Sequence, residues 1–280
     1  MPDTEIKEMS FLDHLEELRK RLFRAAIPVV LFTIVAFVYM DKIFKNIILG
    51  PAKPDFWTYR MLCKIGHAVD AYMDLGDMIC VEKIDFILQS TSPTGQFTTF
   101  MTSGFVAGFI FAFPFLFWQI WKFIEPALNP KERKNAKGGI FFVCFLFFTG
   151  ILFGYYIVSP LSIHFLANFK IDESIVNQFE IGEYISLLLM MVLGSGLIFQ
   201  LPVVVYVLSK IGILTPGFMR KYRRHAIVVI LIVAAVLTPS PDILSQMLVA
   251  TPMIILYELS IYISAMIDRQ RRIELTKTNY

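Results

Sequence analysis

The sequence predicts an all-α membrane protein: six kinked transmembrane helices, the last two short, forming a concave, cupped structure with a small helical periplasmic cap. Three observations carry this reading. Of 280 residues, 56% are hydrophobic and only 18% charged, with a mean hydropathy of +0.62, which is more apolar side chain than one packed core of this size can hide from water. These residues gather in six segments, 25–40, 97–121, 138–160, 183–208, 226–239 and 244–266, whose interiors hold no Lys or Arg. Most of the cations between the segments fall on one side, with seven, Lys42 to Lys170, on the other.

In chain order, the first element is an amphipathic helix over 10–24. Ser10 with Asp13 three residues on is a capping-box signature, and Phe11, Leu15, Leu18 and Leu22 form one apolar stripe, so the helix lies along the cytoplasmic interface. Glu16 with Lys20 and Glu17 with Arg21 fall at i, i+4 in the favourable order. After the first span, residues 41–96 alternate short amphipathic stretches with turn residues. Trp57, Met61, Ile65 and Val69 recur there at helical spacing, which marks a helical cap. A span needs about 20 residues to cross a hydrocarbon core roughly 30 Å thick, and the fifth segment supplies only about 14. It forms a short hairpin with the sixth around Thr238-Pro239-Ser240-Pro241-Asp242. Residues 267–280 are a tail, and the whole chain, 1–280, reads as one membrane domain.

Orientation follows from the cations. Lys7, Arg19, Lys20, Arg21 and Arg24 precede the first span. Lys122, Lys131, Arg133, Lys134 and Lys137 lie between the second and third, and Lys210, Arg220, Lys221, Arg223 and Arg224 between the fourth and fifth. Arg269, Arg271, Arg272 and Lys277 are in the tail. Both termini are therefore expected in the cytoplasm, and no cleavable signal peptide is visible. Pro28, Pro114, Pro160, Pro202, Pro239, Pro241 and Pro252 lie in or at the ends of spans and tend to kink them. Gly104, Gly108, Gly150, Gly154, Gly194 and Gly196 are points of close approach. These features serve ordinary packing or bend the helices around a concave surface.

Several functions are disfavoured. With a net charge of +3 and no aromatic-interleaved basic stretch, no nucleic-acid partner is expected. His14, His67, His164 and His225 are scattered and never reach metal-site spacing, and no nucleophile stands beside a base. We therefore expect no catalytic residues, no metal and no cofactor: the chain is not an enzyme. Glu258 is the clear intramembrane acid, with Asp242 and Glu183 near span ends and Gln200 inside the fourth helix. That is a poor set for a proton relay, although a secondary transporter for a small solute remains the alternative. Cys144 falls in the third span, whereas Cys63 and Cys80 lie in the outer cap, where an oxidising compartment permits a disulfide. Sequence alone leaves their separation open.

The acids set among cytoplasmic cations are the remaining candidates. Besides Glu16 and Glu17, Glu132 stands in Asn129-Pro130-Lys131-Glu132-Arg133-Lys134. Each reads singly as a helix-stabilising or solvated residue; together, two carboxylate sites at the membrane face can clamp a cationic peptide, because guanidinium binds carboxylate in bidentate fashion.

The run His14-Leu15-Glu16-Glu17-Leu18-Arg19-Lys20-Arg21-Leu22 resembles the H-L-x-E-L-R-x-R-L signature of the twin-arginine translocase TatC family (Sec-independent protein translocase). Phe123-Ile124-Glu125-Pro126-Ala127-Leu128 with Glu132-Arg133, then Phe199-Gln200-Leu201-Pro202, then Thr238-Pro239 with Asp242, Ser245 and Gln246, and finally Pro252 and Glu258 match in order. The resemblance spans nearly the whole chain. It implies a receptor and assembly subunit of the twin-arginine export system in the bacterial inner membrane, driven by the proton-motive force. It further implies a di-arginine signal-peptide site at Glu17 and Glu132, with Glu16, Arg19, Phe123 and Arg133 nearby. Implied partners are the signal peptides of folded precursors, TatA-type and TatB-type single-span subunits, other copies of the chain and membrane lipid. The TatA-type contact falls at Gln200 and the TatB-type contact on the fifth helix. Pro51, Pro126, Pro202, Asp242 and Glu258 match as structural positions of the family.

Overall fold

A computed structural model describes residues 11–69, 86–124, 136–172, 174, 177–238 and 243–278. The chain divides into two compact units, Met1–Met40 with Phe100–Phe145, and Asp41–Thr99 with Leu146–Tyr280.

The first unit is helical. The interfacial helix and the first span are one helix, α1 (Phe11–Val38), because nothing between Leu22 and Ala25 breaks the backbone pattern. The 10–24 helix thus does not end at residue 24. A one-turn helix (Met40–Ile43) and a π-helical turn (Phe44–Ile48) lead out of α1 into the second unit. The second span is α3 (Gly95–Ile124). α1 and α3 approach through small residues: a Cβ added at Gly108 would stand 2.2 Å from Thr33 Oγ1, and one at Gly104 would stand 2.2 Å from the Phe37 ring. This small-xxx-small spacing lets helices approach where apolar side chains gain nothing by leaving lipid. Phe32 stacks on Phe111, and Phe37 on Phe100.

The second unit begins with the cap. Its helix α2 (Trp57–Val69) forms where spacing predicts, but the buried face is Thr58 and Tyr59, whereas Trp57 is 53% and Met61 44% exposed. The docking face is therefore polar-tipped, and Trp57 and Met61 of the apolar stripe face outward. An all-α expectation also misses a small parallel ribbon, in which β1 (Ile87–Gln89) pairs with β2 (Gln178–Glu180), Leu88 opposite Phe179. The third span comprises α4 (Ala136–Phe153), a π-helical turn (Gly154–Val158) and α5 (Ser159–Asn168). The fourth breaks into α6 (Ile181–Ile198) and α7 (Leu201–Lys210), the second half opened by buried Pro202. α8 (Pro216–Lys221) follows, with Thr215 as its N-cap, and leads into α9 (Arg223–Leu237) and α10 (Ile243–Thr278).

Among the described residues, five helices are long and apolar enough to cross a membrane: 19–38, 95–122, 138–168, 181–210 and 245–270. The sixth candidate, α9, has 15 residues, about 22 Å at 1.5 Å per residue, and so remains short as expected. The last helix does not. α10 runs for 36 residues and absorbs most of the tail assigned to 267–280.

The core of this unit lies where the π-turn, α6, α9 and α10 meet, around Val158, Met191, Ile230, Ala234, Leu237, Val249 and Met253. Gly150 and Gly154 let the third span rest on the fourth: added Cβ atoms there would stand 2.7 Å from the Ser195 and Met191 carbonyl oxygens. Ser209 Oγ donates to Ser264 Oγ at 2.9 Å between α7 and α10, both buried.

Candidate functional site

On the first turns of α1, the two pairs read from sequence form but differ in setting. Lys20 Nζ lies 2.7 Å from Glu16 Oε1, with both side chains more than 60% exposed. Arg21 pairs with Glu17 through both Nε, at 3.0 Å, and its terminal nitrogen, each donating to Oε1. These two side chains are half-buried. Partial burial raises the local field of a charge, and Arg21 fixes the Glu17 rotamer, so Glu17 is the carboxylate with the fixed direction. Arg19 is exposed on the same stretch.

Phe123 falls in the last turn of α3. Just before it, Lys122 Nζ stands 4.4 Å from the Trp118 ring, and buried Trp121 packs on Gly139 near the start of α4. The end of α3 and the start of α4 are thereby fastened together. Pro126, Glu132 and Arg133 fall between α3 and α4 in sequence, outside the described residues, and Asp242 and Cys80 are likewise outside them.

Gln200 sits at the break of the fourth span. Its N–H donates to Leu197 O at 3.0 Å, and its carbonyl accepts from Val203 at 2.9 Å and Val204 at 3.1 Å. A polar side chain thus stands mid-span on a helix interruption, where Pro202 cannot donate to the carbonyl of Ile198.

Glu258 does not stand alone in its span. Arg223, the first residue of α9, approaches Glu258 Oε1 to 2.6 Å, and the neighbouring Tyr257 donates its hydroxyl to Met219 O at 2.9 Å. Because α9 is short, its head lies level with the middle of α10, and a cation there meets the acid. Sequence reasoning missed this counter-ion; the shortness of the fifth apolar segment was the available signal.

It also missed the hydroxyls that fasten the cap. Thr58 donates to Tyr156 O, Tyr59 to Pro160 O at 2.8 Å and Pro51 O at 3.0 Å, Tyr155 to Ile47 O and Tyr184 to Ile48 O, both at 2.8 Å. Burial raises the Tyr59 phenol above its ordinary value, which keeps it a neutral donor. Pro51, matched by the family resemblance, is fully buried beneath it. Cys63 on α2 is disulfide-bonded, and Cys144 is a free thiol.

A family model described as Sec-independent protein translocase protein (TatC) matches residues 13–252. The chain is 39% identical over 267 residues to a Sec-independent protein translocase protein TatC of Blattabacterium sp. subsp. Periplaneta americana, covering 95% of this chain and 99% of that one. It is 33% identical to protein TatCy of Bacillus subtilis, covering 94% and 92%. A crystal structure of a twin-arginine translocase receptor, TatC, in DDM superposes with a TM-score of 0.66 at 30% identity, over 90% of this chain and 99% of that one.

Proposed function

Taking as premise that this chain belongs to the TatC family of Sec-independent protein translocase proteins, whose members are transport subunits, we propose that it is the receptor that binds the di-arginine signal peptide of folded precursors. Binding occurs at the cytoplasmic face, through Glu17 and Glu132. The observation that carries this reading is the setting of Glu17. Of the two neighbouring acids it is the half-buried one, and Arg21 takes Oε1 through two donors. The second carboxylate oxygen can then accept from an incoming guanidinium. A carboxylate whose rotamer is already set loses less entropy on binding, and each charge-assisted hydrogen bond contributes about 1.5–3 kcal/mol before desolvation.

Register supports the pairing of the two acids. α1 and α3 run antiparallel, with Phe37 against Gly104 and Thr33 against Gly108. Counting down both helices brings Glu17 level with the last turn of α3, where Phe123 lies and the loop bearing Glu132 begins. Arg19, Glu16 and Arg133 flank the bound peptide, and Phe123 packs on its apolar part. The receptor sits in the bacterial inner membrane with both termini in the cytoplasm. It assembles with further copies of itself and with TatA-type subunits at the Gln200 break and TatB-type subunits on the fifth helix, and the proton-motive force drives transport.

The test is crosslinking of a photoreactive twin-arginine precursor to the full chain in membranes. Glu17→Ala and Glu132→Ala are expected to reduce crosslinking at least tenfold, to the level seen with a Lys-Lys signal; unchanged crosslinking of both variants would overturn the site.

A further inference from the structure

The cap helix and the third span share a surface that none of the contacts above occupies. α2 docks through Thr58 and Tyr59, both buried, and turns Trp57, Arg60, Met61 and Lys64 the other way. With 3.6 residues per turn, this i, i+3, i+4, i+7 set occupies one helix face, and all four residues are exposed. Arg60 and Lys64 make no ion pair among the described residues; Asp55, exposed on the turn before the helix, pairs with neither.

Beside Trp57 the third span borders a cavity of about 540 Å³, lined by Trp57, Thr149, Leu152, Phe153, Tyr156 and Ile157. The Trp57 ring stands edge-on to Tyr156, centroids 5.7 Å apart, so the cap overlies one end of the cavity. Phe153 turns its ring to Phe199, 5.5 Å away, and Gln200 is not among the lining residues. Depth follows from length. A hydrocarbon core takes about 20 helical residues; counted from Gly138, where the apolar span begins, its far boundary falls near Ile157. The cavity thus lies in the hydrocarbon, with Trp57 and Tyr156 at its boundary. Arg60 and Lys64, within two turns of Trp57, reach the headgroup zone, because long cationic side chains extend toward it. Apolar cavity, amphipathic rings and cations follow one another as the acyl, interface and headgroup zones of a lipid monolayer do.

We propose that the cap helix and the third span bind an anionic phospholipid, an acyl chain in the cavity, the glycerol region against Trp57 and Tyr156, and the phosphate held by Arg60 and Lys64. Free phosphate would use the cations and leave the cavity unused. A zwitterionic lipid would fill the cavity, but its own ammonium repels the two cations. A partner's transmembrane helix needs a groove along the whole span, whereas Trp57 overlies this one at the cap end. The inference is independent of the signal-peptide reading and of its partner contacts, since none of these residues belongs to the Glu17 and Glu132 site, to the Gln200 break or to α9.

The full chain is purified into micelles containing equimolar phosphatidylglycerol and phosphatidylcholine, and the retained lipid is identified by native mass spectrometry. We expect phosphatidylglycerol to be retained over phosphatidylcholine by roughly tenfold. The preference is lost in Arg60→Gln/Lys64→Gln, held in Arg60→Lys, and held in the tail variant Arg269→Gln/Arg271→Gln, which removes equal charge elsewhere. Leu152→Trp, which fills the cavity from an exposed position, lowers retention of phosphatidylglycerol to the level of phosphatidylcholine. The fluorescence component that Trp57→Phe removes is quenched by acyl-brominated phosphatidylglycerol more than by the phosphatidylcholine analogue, and inorganic phosphate does not relieve the quenching. Equal retention of the two lipids, a preference surviving Arg60→Gln/Lys64→Gln or Leu152→Trp, loss of the preference in the tail variant, equal quenching by the two lipids, or relief by phosphate would each overturn the proposal.

Discussion

Thr58 donates its hydroxyl to the carbonyl oxygen of Tyr156, the oxygen whose α-helical donor would be the N–H of residue 160, which is Pro160. Proline has no N–H, and the chain answers locally and at a distance. Locally, Ser159 sends both its N–H and its hydroxyl to Gly154 O, the latter at 2.7 Å, which makes the π-turn. At a distance, the first turn of the cap helix supplies Thr58 to Tyr156 O and Tyr59 to Pro160 O. The kink of the third span and the seat of the cap are therefore one feature.

Replacing Thr58 by Val leaves a buried carbonyl without this donor and is expected to cost about 1–3 kcal/mol, read as a lower thermal unfolding midpoint in detergent. Thr58→Ser keeps the hydroxyl and should recover most of the loss. Equal midpoints for the Val and Ser variants would refute the role given to the hydroxyl.

Tyr59→Phe removes a donor shared by Pro160 O and Pro51 O, and a loss of about 1–3 kcal/mol is expected. The phenol's pKa is raised on folding by burial, so its contribution is complete below the unfolded value of about 10 and is lost only as pH climbs toward the folded one. The wild-type and Phe variants should accordingly differ by a constant amount across neutral pH and converge only in strong alkali, which unfolding curves at several pH values would display.

Gly154→Ala places a methyl 2.7 Å from the Met191 carbonyl oxygen, whereas Gly138→Ala meets nothing within 4 Å. The first should destabilise the chain by at least about 1–3 kcal/mol, as overpacking does. The second should be neutral or gain up to about 1 kcal/mol from helix propensity. Parallel detergent unfolding of the two variants tests the claim, and similar behaviour would contradict the close crossing of the third and fourth spans.

The Arg223 and Glu258 side chains are 57% and 37% exposed. Their pair should therefore be worth about 0.2–1 kcal/mol despite its position level with the middle of α10. A double-mutant cycle with Arg223→Gln and Glu258→Gln reads this directly; a coupling of several kcal/mol would mean the pair is far better shielded than its exposure indicates.

The spans, the cation sorting, the shortness of the fifth segment and the Glu17–Arg21 pair were all legible in the sequence, because each depends on neighbours within one helix or on solvent preference added residue by residue. Hydropathy is local, and an i, i+4 pair needs only a helix. The tertiary structure decided the rest. It joined the interfacial helix to the first span, turned the Thr58 and Tyr59 face of the cap inward, and gave Glu258 its counter-ion. It also left Glu17, and not its neighbour Glu16, half-buried. The separations give the reason: Thr58 meets Tyr156 across 98 residues, Tyr59 meets Pro160 across 101, and Tyr184 meets Ile48 across 136. A buried carbonyl that a proline or a π-turn leaves unserved must find a donor, but composition and spacing do not say which of 11 tyrosines will reach it; packing settles that.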